Sequence, residues 1–400
     1  YSSAASDVYK RQIIMIIVLG AMTAFGPMLV DMYNPALPQV RDDFGVSTST
    51  SQLTLSFVMI GMALGQFVFG PLSDVYGRKK TVLSILIGIA VVSLACVFVS
   101  SINVFLVLRF IQGLLGGGAI VIARATVSDQ YEGASLTQMI ATLLVVNGII
   151  TIITPLIGGY TLAFTSWKMI FAALTLISLV IFSIAFIKME ETRDTANVRL
   201  NFGAIFKDFG HLLSKARFVI PMLMQGFTYV MLFSFAAASP FITQKIYHMS
   251  PQAFGWMYAV IGIGLIAMSQ ITAFAVKYIE REKLLHILTG IQVFGVILVV
   301  ITTGFHLPLP LLLASFFIMV WPVTGIGPLG FSLAIEERSG GSGNASSLLG
   351  LFQFIIGGII APLVGIQGGT SVGPFIVIIL ITSVLVIVLN VWLHKLIQVK

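Results

Sequence analysis

The sequence predicts an all-α polytopic membrane protein, with twelve transmembrane helices in two six-helix halves, and three observations carry that prediction. Of its 400 residues 58% are hydrophobic and only 9% are charged, more apolar surface than a water-soluble chain of this length can hide in its core. The apolar residues gather in stretches of about 20, the length an α-helix needs to cross a hydrocarbon core of about 30 Å. Midway along the chain lies the longest polar segment, Lys188 to Arg217, which is rich in Lys and Arg.

Taken in order, residues 1–12 are polar and have no apolar core, so they form neither a signal peptide nor a helix and read as a foreign remnant. The N-terminal half, 13–187, holds apolar stretches at 13–37, 51–72, 81–100, 103–125, 137–157 and 167–187. Residues 188–217 are the linker. The C-terminal half, 218–400, holds stretches at 218–242, 253–276, 284–304, 309–334, 346–368 and 372–393, with a flexible Ser339–Gly343 loop before the eleventh. Lys and Arg concentrate on one set of connections: Arg78, Lys79, Lys80, Arg124, the linker, Lys277, Arg281, Lys283, Arg338, Lys395 and Lys400. The opposite set holds Arg41, Lys168 and Lys245. The positive-inside rule then places both termini and the linker in the cytoplasm. Two six-helix halves imply a parallel repeat with a substrate site near the bilayer midplane.

Several function classes drop out. A single cysteine, Cys96, allows no disulfide framework. The net charge of +7 comes from basic residues spread between apolar runs, not from a patch interleaved with aromatics, so no nucleic-acid partner is implied. Gly325-Ile-Gly327-Pro-Leu-Gly330 has dinucleotide-fingerprint spacing but no preceding strand, and no Walker sequence is present. His211, His248, His286, His306 and His394 lack the i,i+3 or i,i+4 spacing of a metal site. With no metal, no cofactor and no nucleophile set beside a base, the chain reads as a non-enzyme driven by an ion gradient.

Asp31, in Leu29-Val-Asp31-Met-Tyr-Asn-Pro35, is the acid that breaks this pattern. A carboxylate in hydrocarbon costs about 2.5–3.5 kcal/mol on insertion scales, and marks an ion or substrate path. Arg109, in Leu108-Arg109-Phe-Ile-Gln112-Gly113, lies about six residues from the outer end of its stretch, as Asp31 does from its own, which puts both about 9 Å deep. At one depth, Arg109 can bias the ionisation of Asp31.

The turn Gly70-Pro-Leu-Ser-Asp74-Val-Tyr-Gly77-Arg78-Lys79-Lys80 resembles the signature between the second and third helices of the major facilitator superfamily. The Arg109, Gln112 and Gly113 run resembles the fourth-helix motif of its proton-driven members. Asn147-Gly148 and Thr154-Pro155-Leu-Ile-Gly158-Gly159 resemble the antiporter motif of the drug/proton antiporters, with Thr154 where the pattern has Gly. Together with Val30-Asp31-Met-Tyr33-Asn34-Pro35, these runs are most similar to the bicyclomycin and chloramphenicol resistance (Bcr/CflA) subfamily. That resemblance implies the major facilitator fold, a monomer in the bacterial cytoplasmic membrane and its lipid, and export of small amphipathic drugs or metabolites against proton entry by alternating access. Asp31 is then the protonation group and Arg109 its coupling partner. A metabolite importer or facilitator on the same fold is the alternative, because fold does not set direction. An apolar pocket with a few polar groups has as candidate lining residues Met28, Tyr33, Asn34, Asn147, Tyr229, Met257, Tyr258 and Trp321.

Overall fold

The computed structural model describes residues 15–131, 133–192, 202–335 and 342–398, so the polar segment 1–12, linker residues 193–201 and most of the Ser339–Gly343 loop lie outside the described residues. The helices are α1 (Met15–Thr23), α2 (Phe25–Val30), α3 (Leu37–Phe44), α4 (Thr48–Tyr76), α5 (Arg78–Phe98), α6 (Ile102–Gln130), α7 (Gly133–Phe164) and α8 (Lys168–Lys188). They continue as α9 (Phe202–Leu213), α10 (Ala216–Phe241), α11 (Pro251–Ala275), α12 (Arg281–Gly304), α13 (Leu309–Val320), α14 (Val323–Ile335), α15 (Ser342–Ile360) and α16 (Gly373–Gln398). Among the described residues there is no strand. Eleven segments there are long and apolar enough to cross a membrane, and the bent pair Met15–Thr23 with Phe25–Phe44 makes a twelfth.

Large apolar side chains recur on outward faces at helical spacing, as Ile87, Val91, Leu94 and Phe98 do on α5 and Val377, Ile381, Val384, Val388 and Val391 on α16. Such stripes would be sticky in water, and they are at no disadvantage against lipid tails.

The first span is not the straight helix that its apolar length predicts. It bends by 47° where α1 ends. The cause is Pro27, which has no N–H to give the Thr23 carbonyl four residues before it. The linker also differs from the expected plain polar segment. Its second part is α9, where Phe202, Ile205, Phe206, Phe209 and Leu212 recur at helical spacing, Lys207 and Asp208 are exposed, and Phe209 is buried.

The chain divides into two compact units, Tyr1–Ala36 with Phe57–Leu200 and Leu37–Ser56 with Asn201–Lys400. In the first, α4 and α6 cross backbone to backbone. A methyl group on Gly61 or Gly65 would lie 2.3 or 1.9 Å from the carbonyl oxygen of Phe110 or Leu114, and one on Gly113 or Gly117 would lie 2.1 or 2.2 Å from that of Val58 or Met62. Four glycines on two helices thus let the main chains touch, the packing mode open to helices that gain nothing from excluding water. The glycine of the Arg109 motif is therefore a crossing point. In the second unit, Phe235, Phe254, Tyr258, Phe316 and Phe375 build the core, while Gln52 Nε2 donates to the Ala237 carbonyl at 2.8 Å and Ser49 Oγ to that of Pro362 at 2.7 Å.

Candidate functional site

Arg109 is the centre of a buried polar network in the first unit. Its side chain is fully enclosed, and a buried guanidinium must find acceptors. Nη1 donates to Gln112 Oε1 at 2.5 Å, one helical turn along α6, and Nη2 donates to the Leu29 carbonyl at 2.8 Å. Leu29 is in the last turn of α2, where carbonyls have no continuing helical donor. Gln112 passes the connection on, its Nε2 donating to Ser93 Oγ of α5 at 2.7 Å. The guanidinium carbon lies 4.4 Å from the Tyr33 ring centre and 5.4 Å from that of Phe171, within cation–π range. Phe105 and Trp167, 5.2 Å apart, complete the aromatic enclosure.

Asp31 follows α2 directly, and its backbone N–H closes on the Pro27 carbonyl at 2.8 Å. Its side chain is half-buried, and among the described residues no donor pairs with the carboxylate. Arg109 therefore grips the main chain two residues before Asp31 and does not form an ion pair with it. Asn147 Nδ2 on α7 donates to the Thr23 carbonyl at 2.7 Å, the group that Pro27 leaves without its helical partner. Replacing Asn147 by Ala is expected to strip that carbonyl of its donor at a cost of about 1–2 kcal/mol. A melting curve in detergent should move down by a few degrees, and an unmoved curve would show that the amide does not brace the bend. Further along α7, Pro155 lacks the N–H for the Thr151 carbonyl, and Thr154 Oγ1 reaches that oxygen at 3.5 Å. Gly158 touches the turn after Asp31, where an added methyl would stand 2.1 Å from the Met32 carbonyl oxygen, and Gly159 beside it is buried.

The basic turn is closed by acids from three places. Gly77 has φ +93°, a left-handed conformation that side chains resist. Arg78 is 4% exposed; its Nε donates to Asp129 Oδ2 at 2.8 Å, its Nη2 to Asp74 Oδ1 at 2.6 Å and its Nη1 to Ser73 Oγ. The Glu191 carboxylate accepts from the backbone N–H of Arg78 at 2.7 Å and of Lys79 at 3.1 Å, capping the start of α5. Gly70 lies in α4, ordinary van der Waals distance from Val121. Asp129 and Glu191 were not foreseen from the sequence. Their signal was an acid just inside the end of α6 and another just past α8, at the end where the basic turn sits.

The candidate lining residues fall in two groups. In the first unit Met28, Tyr33 and Asn34 are buried, Tyr33 within the aromatic enclosure of Arg109. In the second, Met257 and Tyr258 are also buried, with Tyr258 stacked on Phe235 at 5.4 Å. Tyr229 and Trp321 are half-buried; Tyr229 lies 5.9 Å from Phe233, and the indole N–H of Trp321 is buried with no partner among the described residues. Beside Tyr229 on α10, Gln225 Nε2 donates to Gln353 Oε1 of α15 at 3.0 Å. The need of an amide in hydrocarbon for a partner, which singles out Asn147, could have found this pair. The histidines are less scattered than their spacing suggests, because Glu282 and His286, four apart on α12, meet His394 of α16.

The sequence pattern of the Major Facilitator Superfamily matches residues 17–362. The chain is 30% identical over 379 residues to an uncharacterized MFS-type transporter of Bacillus subtilis, covering 94% of both. It is 28% identical to a bicyclomycin resistance protein homolog of Haemophilus influenzae over 92% of both. Across 64% of this chain and 60% of the relative, it is 25% identical to a chloramphenicol resistance protein of Acinetobacter baumannii. Among solved structures, a nucleoside transporter superposes with a TM-score of 0.76 at 13% identity over 96% of this chain and 99% of the other, and a D-xylose-proton symporter with 0.71 at 12% over 95% and 97%. Spans bent and crossed by proline and glycine, an arginine network inside them and these relatives agree: the chain is a multi-pass transporter, not an enzyme, and belongs to the Major Facilitator Superfamily, with its drug/proton antiporters of the Bcr/CflA kind as its likeness.

Proposed function

We propose that the protein exports small amphipathic drugs across the bacterial cytoplasmic membrane in exchange for protons, and that Asp31 is the group that carries the proton. The observation that supports this most directly is the setting of Asp31. It is an acid in an apolar span, beside a helix end, with no paired donor among the described residues. A carboxylate locked in an ion pair would have no reason to exchange protons, whereas this one is held by its main chain and left with its oxygens available. The relatives that carry resistance names favour a drug-like substrate over a sugar or nucleoside, since the likeness to those transporters is one of fold alone.

In this reading Arg109 fixes the end of α2 and so the place of Asp31, and two six-helix halves, joined by a cytoplasmic linker, alternate access to a substrate site. Both termini are cytoplasmic, the working form is a monomer in lipid, and the proton gradient replaces any cofactor. Tyr229 and Trp321, half-buried and with the Trp321 indole N–H unpartnered among the described residues, supply the aromatic surface for varied ligands.

Inverted membrane vesicles, acid-loaded and exposed to a panel of amphipathic drugs that includes a phenicol and a cationic dye, test the reading. Several drugs are expected to release protons from vesicles that contain the protein and not from control vesicles. A folded, inserted protein that responds to none of them while moving a polar metabolite would establish the importer or facilitator instead.

A further inference from the structure

We infer that Glu282, His286 and His394 form a binding site for a divalent transition metal ion, clasping the first two turns of α12 to the last turns of α16. The candidate ligand atoms of the three residues all lie within 4.8 Å of one another, in the second unit and on helices that carry none of the residues assigned to transport. Three features make this more than a chance meeting of polar side chains.

The first is chemical. A carboxylate and two imidazoles make an oxygen and nitrogen donor set that suits Zn²⁺, Ni²⁺ or Co²⁺ and not the harder Mg²⁺ or Ca²⁺. Glu and His four apart on one helix stand on the same face, one turn apart, so that α12 alone offers two converging ligands. The second is orientation. His286 Nδ1 lies 2.7 Å from the Glu282 carbonyl oxygen; donating there, it leaves the Nε2 lone pair free, the arrangement by which a backbone acceptor fixes a metal-ligating histidine. His394 meets the Glu282 carboxylate through Nδ1. The third is spacing. Two imidazoles bound to one tetrahedral ion at about 2.0 Å have ring centres about 5 Å apart. Those of His286 and His394 are 5.4 Å apart, with planes at 81°. The donor atoms, already within 4.8 Å of one another, have little further to close to the roughly 3.4 Å of a tetrahedral shell.

The platform beneath is already fastened. Asn390 Nδ2, one turn before His394, donates to Thr289 Oγ1, one turn after His286, at 2.9 Å. Both residues are buried, so the two helices are registered before any ion arrives. Three protein ligands leave a fourth position for water or a further ligand. Glu282 and His394 are half-buried and His286 is exposed, so an ion can enter from the aqueous side.

The full chain, purified through a tag that contains no histidine and held in detergent, is titrated with Zn²⁺ by calorimetry and with Co²⁺ by absorbance. One ion per chain is expected, with affinity reduced about tenfold or more in His286→Asn, His394→Asn and Glu282→Gln and unchanged in His211→Asn and His306→Asn. Co²⁺ in the parent is expected to show the visible bands of an imidazole-bound ion, a reading that requires no variant to fold. Absence of saturable binding in the parent, or binding equally strong in His286→Asn and His394→Asn, would overturn the site and leave Glu282 and His394 as an ion pair.

Discussion

Replacing Asp31 with Asn is expected to reduce drug-driven proton release to the level of control vesicles while the protein stays folded. Asparagine has nearly the shape of aspartate and cannot ionise, so the exchange removes the proton-carrying function and little else. Because no donor pairs with the carboxylate among the described residues, no hydrogen bond is lost. The stability change should stay within about 0.5 kcal/mol, small enough to leave the melting temperature nearly unmoved. That pairing of outcomes is the useful part: transport gone, folding intact. Proton release that keeps its full pH dependence in Asp31→Asn would move the coupling elsewhere, and a large drop in melting temperature would show that the carboxylate is structural after all.

Arg109→Ala is expected to give the contrasting result, with both transport and stability lost. Two charge-assisted hydrogen bonds disappear, each worth about 1.5–3 kcal/mol, and the buried Gln112 amide and Leu29 carbonyl lose their donor. A loss of about 3–6 kcal/mol follows, enough to unfold a marginal protein. Arg109→Lys separates the roles. It keeps the positive charge, but a single ammonium cannot reproduce the planar fork that reaches Gln112 and Leu29 together. If charge alone mattered, the lysine variant would transport normally. If the grip on α2 matters, it melts early and transports poorly. Thermal unfolding and vesicle assays on the same preparations distinguish the two, and a folded Arg109→Ala protein with near-normal turnover would remove Arg109 from the coupling altogether.

Much of the helical layout was legible because membrane crossing imposes a length rule on apolar residues, and the spans read from the chain lie close to α4 to α8 and to α10 to α16. The bend in the first span was harder to read. Pro27 was visible, yet its effect depends on which carbonyl loses a donor and on an amide more than a hundred positions later that replaces it. The same difficulty hid the partner of Arg109. Sequence reading looks for side chains of opposite charge and so points to Asp31, whereas the acceptor is a backbone carbonyl, which every residue possesses and no composition reveals. Asp129 and Glu191 around Arg78, and His394 beside Glu282 and His286, escaped for a related reason: each pairing joins helices distant in sequence. Helix α9 was missed because the charge of the linker outweighed a short amphipathic period.

The bend at Thr23 has a mechanical consequence. In an ordinary helix, changing the angle between two segments stretches a main-chain hydrogen bond on the opening side and resists like a spring. Here no such bond exists to stretch, because the proline that made the bend also removed its donor. The Thr23 oxygen is held by the terminal amide of Asn147, carried on a rotatable side chain that can follow a moving acceptor. The joint between α1 and α2 is thus a hinge with its pin on a neighbouring helix, so that α1 can change its angle to α2 without unravelling the span while Arg109 holds the far end of α2.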